Sequence, residues 1–141
     1  MSSSTNPEYC YCHASRCGAR SLTRMYDRHL EPAGISISQF AILAILGKRP
    51  GMKSANLATR MVMERSTLVR ALKPLRDAGF VQCETTGEGR SLALSLSPLG
   101  AEKFAEAMPL WIEAQKEFEE SFGLRRAQKL RNEVLATATV F

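Results

Sequence analysis

Histidine is scarce in this chain, occurring twice in 141 residues, and the pattern G-x-S-x-G is absent. So are a glycine-rich loop of the kind that cradles phosphates and any pair of carboxylates around a predicted cleft. A cysteine hydrolase built on Cys12 and His29 would have nothing to orient the pair. These gaps point away from an enzyme and from a resident cofactor or metal. No apolar run is long enough to span a bilayer, so no membrane partner is expected. The first residues, MSSSTNPEY, lack the basic-then-apolar order of a secretion signal. A cytoplasmic protein is therefore expected, with Cys10, Cys12, Cys17 and Cys83 as reduced thiols. There are no internal repeats, and low complexity is confined to the serine-rich tip.

What is present is a basic block in the middle. The net charge is +5. Between Lys48 and Arg90 lie nine basic residues and four acids, so this third carries the whole excess, while the flanks hold ten of each sign. Such a block fits binding to a polyanion, or else a solvated face. Pattern has to separate the two.

Spacing predicts a helix over 11–30, with Gly18, Leu22, Met25 and His29 recurring at three and four, ended by Pro32 and Gly34. Arg16, Arg20, Arg24 and Arg28 share one of its faces. Ser38 is expected to cap a second helix over 39–47, whose FAILAIL segment is apolar on every side and so belongs at the centre of a domain. Ser54 is expected to cap a third helix over 55–61, and a fourth runs from 65 to 78, closed by Gly79. Pro74 suggests a bend in it. Strands are predicted over 80–85 and 91–96, joined by the turn TGEG. Ser97-Pro98 opens a long helix bearing a seam of Phe104, Met108, Trp111, Gln115, Phe118 and Phe122. Beyond Gly123, Ala127, Leu130, Val134, Ala138 and Phe141 form a second apolar stripe.

Two helices joined by a tight turn, then a hairpin, make a winged helix-turn-helix. A helix fits the major groove, and side chains near its N-terminus reach base edges. The second helix of the pair opens Arg65-Ser66-Thr67-Leu68-Val69-Arg70. Arg65 and Arg70 suit guanine, while Ser66 and Thr67 suit bases or phosphates. Leu68 and Leu72 face inward. Arg60, Lys73 and Arg76 suit phosphates, which position without reading sequence. Arg90, at the end of the turn, suits a narrow minor groove.

The stretch from Ser54 to Gly100, including LATRMVMERSTLVRALKPLRDAGFV, the EGR of the hairpin and LSPLG, resembles the MarR family of bacterial transcriptional regulators. Glu88, Arg90, Leu96, Ser97 and Gly100 fall at the places of that family's wing acid-x-Arg pair and the Leu-Ser/Thr-x-x-Gly helix opening. RSLTRMYDRHLEPAGIS and SQFAIL extend the likeness over nearly all the chain. Glu88 stands where aspartate is usual, and Glu64 is a poor cap for the recognition helix. The resemblance implies one mainly α domain over 1–141 with a small β-hairpin wing. Its winged helix-turn-helix would cover 38–97, and its dimerisation helices 10–34 and 98–141. It also implies a homodimer on a palindromic duplex operator, contacted through Ser54, Arg60, Arg65, Ser66, Thr67, Arg70, Lys73 and Arg90. The apolar stripes agree with a dimer, and part of the Phe104–Phe122 seam belongs to the core in any case.

The family implies two ways of letting DNA go. One is a small aromatic or phenolic effector, for which Tyr26, His29, Phe40, Met108 and Trp111 are candidate pocket residues; each also reads as core. The expected protein is then a repressor, with a part in stress response. The other is oxidation of Cys12, fourteen residues before Tyr26, as in the peroxide-sensing branch, although that branch's tyrosine one turn after the cysteine is Arg16 here. A helix N-terminus favours a nucleophilic thiolate, but cysteine is also a common small core residue. His13 and Cys17, four apart with Cys12 nearby, do not have a usual zinc spacing. A winged helix serving protein contact without DNA is the remaining alternative.

Overall fold

The computed structural model describes residues 5–85 and 92–141. Helix α1 (Tyr11–Leu30) is capped by a thiol: Cys10 Sγ accepts the His13 N–H at 3.3 Å. Its first ten residues are all exposed, and only Leu30 at its end is fully buried. A single 3-10 turn over Glu31–Ala33 and Gly34 at φ +74° then redirect the chain.

Helix α2 (Ile37–Lys48) buries Phe40, Ile42, Leu43 and Leu46, as a helix apolar all round should. Its cap is Ser36 rather than the expected Ser38. Ser36 Oγ accepts the Gln39 N–H at 3.1 Å, and Gln39 Oε1 accepts the Ser36 N–H at 2.9 Å. The reciprocal pair needs Gln three residues after the serine, which only Ser36 has. Ser38 lies exposed inside the first turn.

A two-residue strand follows, β1 (Met52–Lys53), too short to leave a periodic trace in the sequence. Helix α3 begins at Ser54 itself and runs to Met61, with Lys53 in the cap position and no side-chain cap bond. The expected Ser54 cap is corrected by the sheet: pairing of Lys53 with Ala93 holds Lys53 extended, so the helix starts one residue later. Helix α4 (Arg65–Asp77) runs without interruption through exposed Pro74, burying Leu68, Leu72 and Leu75 on one stripe. Gly79, at φ +80°, lies just beyond it.

Strands β2 (Val81–Thr85) and β3 (Leu92–Leu96) pair antiparallel in the register Val81↔Leu96, and β1 adds to the other side of β3. Leu94, in the central strand, is fully buried. The sheet lies beside the helices, as its size requires. Helix α5 (Pro98–Phe122) is capped by Ser97 Oγ, which accepts the Gly100 N–H at 2.9 Å. Buried Ala107 and Ala114 face inward. Phe40 stacks against Phe104 at 5.1 Å and Trp111 at 5.7 Å, so the first half of the α5 seam belongs to this chain's own core. Gly123 breaks the helix, and α6 (Leu124–Thr137) follows. The architecture is a mainly helical winged helix-turn-helix flanked by terminal helices. Among the described residues, no single helix is long and apolar enough to cross a membrane.

Candidate nucleic-acid interface

Helix α4 is held from below. Leu68, Leu72 and Leu75 recur at four and three, so burying them turns the opposite face to solvent, carrying Ser66, Arg70, Lys73 and Asp77. Arg65, Ser66, Arg70 and Lys73 are exposed, and Thr67 is half-buried beside the leucine stripe. Lys73 is occupied within the chain, since its Nζ donates to Asp77 Oδ2 at 2.8 Å. Arg60 is exposed in the last turn of α3. Arg90 and Glu88 lie outside the described residues.

A cleft of ≈270 Å³ joins α3, α4 and the base of the wing, lined by Lys53, Ser54, Arg65, Val69 and Arg76, with Leu68 and Leu72 among its apolar walls. Three cations on one cleft make a concentrated positive field. Sequence reading missed Lys53, which only the β1–β3 pairing brings beside α4. It also passed over Val69, although the helical wheel already placed that residue off the buried stripe.

The five pocket candidates do not meet. Phe40, Met108 and Trp111 line one cavity of ≈590 Å³ with Phe104 and Leu96, and Lys48 at its edge. Tyr26 lies elsewhere, lining a groove of ≈340 Å³ between α1, α5 and α6 with Leu22, Phe118, Ala127 and Val134. Its hydroxyl donates to Gln115 Oε1. Burial, helped by the Glu119 charge, pushes the phenol above its ordinary value. His29 is taken up by Glu117, whose carboxylate also receives Arg28 Nη2 at 2.8 Å. The His29 hydrogen bond, seconded by Arg28, holds Glu117 below the usual carboxylate range. Helical geometry separates the set, because Tyr26 and His29 are committed to α5 residues further along than Trp111.

Cys10, Cys12 and Cys17 are all exposed. Cys17 Sγ lies 3.5 Å from His13 Nε2. Cys12 and Tyr26 share one straight element and stand about 21 Å apart at 1.5 Å per residue, so they do not meet within one chain. Among the described residues, no group of three or more His, Cys, Asp or Glu is placed to hold a metal.

A recognition helix with buried leucines beneath and cations above, braced by a wing, defines the class of winged-helix transcriptional regulators. Residues 35–85 match the MarR family model. The Mycobacterium tuberculosis transcriptional regulator MosR, crystallised in complex with DNA, is 31% identical; the match covers 92% of this chain and 93% of MosR, with a TM-score of 0.83. The HTH-type transcriptional repressor Rv2887 of M. tuberculosis is 34% identical over 72 residues, and the chain spans about half (52%) of that relative's length. CouR from Rhodococcus jostii RHA1, bound to p-coumaroyl-CoA, shares the fold at a TM-score of 0.75 and 17% identity, over 90% of this chain and 89% of that one. This chain belongs to the MarR family of transcriptional regulators.

Proposed function

We propose that the chain is a repressor that binds a palindromic duplex as a homodimer and releases it when a small aromatic compound enters the Phe40–Trp111 cavity. The observation that carries the DNA reading is the outward face of α4, where Arg65, Ser66 and Arg70 stand exposed over the Leu68–Leu72–Leu75 stripe. Arg65 and Arg70 read guanine edges, with Thr67 in support. Ser54, Arg60 and Lys73 fix the register on phosphates, and Arg90, by its place in the sequence, is assigned to a neighbouring minor groove. MosR was crystallised with DNA, which supports the same partner here.

Dimerisation is supported by the ends of the chain. The first half of α1 and the last turns of α6 bury nothing, and Leu124, Val134, Leu135, Val140 and Phe141 are exposed. A second copy covering these residues would remove a large apolar surface from water. The effector reading is supported by the aromatic wall of Phe40, Phe104 and Trp111, against which a flat ring stacks, with Lys48 at the edge to meet an anionic substituent.

Measuring affinity for mixed-sequence duplex against salt tests the proposal. Several phosphate contacts give a steep loss of affinity as salt rises. No binding even at low salt would turn the reading to a protein-contact module.

Oxidative release through Cys12 is the second reading, favoured by its exposure in the first turn of α1. Under it, Cys12→Ser abolishes peroxide-induced release, and release persisting in that variant removes Cys12 as sensor.

A further inference from the structure

Val69 is the one large hydrophobic side chain exposed on α4, with 65% of its surface open to solvent. Most of its helical neighbours are polar, although buried Leu72 lies one turn after it and shares a cleft with it. Arg65 and Ser66 lie one turn before it, Arg70 follows, and Lys73 lies one turn after. A β-branched residue is a poorer helix former than the alanine, lysine or arginine that would serve a merely solvated position. Within this chain Val69 buries little in return. Its branched methyl groups stand in the middle of the basic face, not on the leucine stripe that anchors the helix.

Resting on the DNA reading above, we propose that Val69 is a specificity-determining residue that packs against the C5-methyl group of a thymine beside the guanine read by Arg65 or Arg70. The choice of partner follows from groove chemistry. Of the four bases, only thymine presents an apolar group at the major-groove edge; the others offer nitrogen and oxygen donors and acceptors. The surrounding cations suit the phosphates on either side of that base, so charge brings the helix to the groove and Val69 then discriminates within it. A branched aliphatic side chain has no hydrogen bond to offer, so its contribution is contact with a methyl group, removal of that methyl from water, and exclusion of a polar edge.

The test uses the full chain and a pool of duplexes with a randomised core, from which bound sequences are selected. In the selected duplex each thymine is replaced in turn by deoxyuridine, which keeps the pairing and loses only the methyl. The wild-type chain loses about fourfold in affinity at one thymine per half-site, the worth of one buried methyl group. Val69→Ala binds the thymine and uracil duplexes equally at that position and selects a more relaxed sequence there. Its thermal midpoint stays level or rises, because the side chain is mostly exposed and alanine is the better helix former. Wild-type indifference to every uracil replacement overturns the proposal while leaving DNA binding intact. An unchanged uracil penalty in Val69→Ala overturns it too, as does a marked fall in the variant's midpoint. If the wild-type chain captures no duplex from the pool, the DNA reading itself fails.

Discussion

The carbonyl oxygen of Phe80 stands 2.0 Å from the point where a Cβ on Gly100 would sit. The same oxygen accepts the Ser97 N–H at 3.0 Å, so the start of the wing and the first turn of α5 meet backbone to backbone. Nothing flexible can yield there. Gly100→Ala is expected to lower stability by about 1–3 kcal/mol, the usual cost of overpacking. Urea melts of the two proteins measure it, and an unchanged midpoint contradicts the contact.

Val62, between α3 and α4, adopts φ +54° and ψ +46°, left-handed backbone that β-branched residues strongly resist. It is 70% exposed, so its side chain contributes little packing in exchange. Val62→Asn should raise stability by about 1 kcal/mol, since asparagine tolerates this region. A lower melting temperature in the variant would refute the strain.

Arg65→Ala and Arg70→Ala should each relax sequence preference, at about 1–3 kcal/mol if the contact is bidentate. Gel shifts on cognate and mismatched duplexes read this. Both variants discriminating as well as the wild type would remove these arginines from base reading.

Leu135→Glu, on the exposed end of α6, disturbs no core contact within the chain. If the terminal helices join two copies, the variant sediments as a monomer under conditions where the wild type is a dimer. Equal sedimentation of the two as dimers would place the interface elsewhere.

Glu117 ties α1 to α5 through His29 and Arg28, and its carboxyl is held below its ordinary value. A lowered folded-state value means the contribution is present above the ordinary carboxylate range. It is lost as the pH falls through the lowered value. Wild-type and Glu117→Gln melting temperatures should therefore differ at neutral pH and converge in acid. The difference is small because the pair is partly exposed. Curves that run parallel down to acid would show that the carboxylate's charge plays no part.

Much of this was legible without coordinates, because periodicity and punctuation are local. The 11–30 helix, the Leu68–Leu72 stripe and the Ser97-Pro98 opening each follow from spacing or capping chemistry and stand where expected, while the apolar helix is present but starts two residues earlier, at Ile37, and runs through Lys48. Their order, with the basic block over the helix-turn-helix, was enough to suggest a DNA-binding regulator. Three-dimensional packing decided what depends on residues distant in the chain. Pairing of Lys53 with Ala93 moved the start of α3 and brought a cation beside α4. Stacking of Phe40 on Phe104 and Trp111 assigned half of the α5 seam to the core, and the α1–α5 contacts divided the pocket candidates between a cavity, a groove and an ion pair. Hydrophobic spacing along one helix says which side is buried. It does not say against what, since that depends on long-range packing.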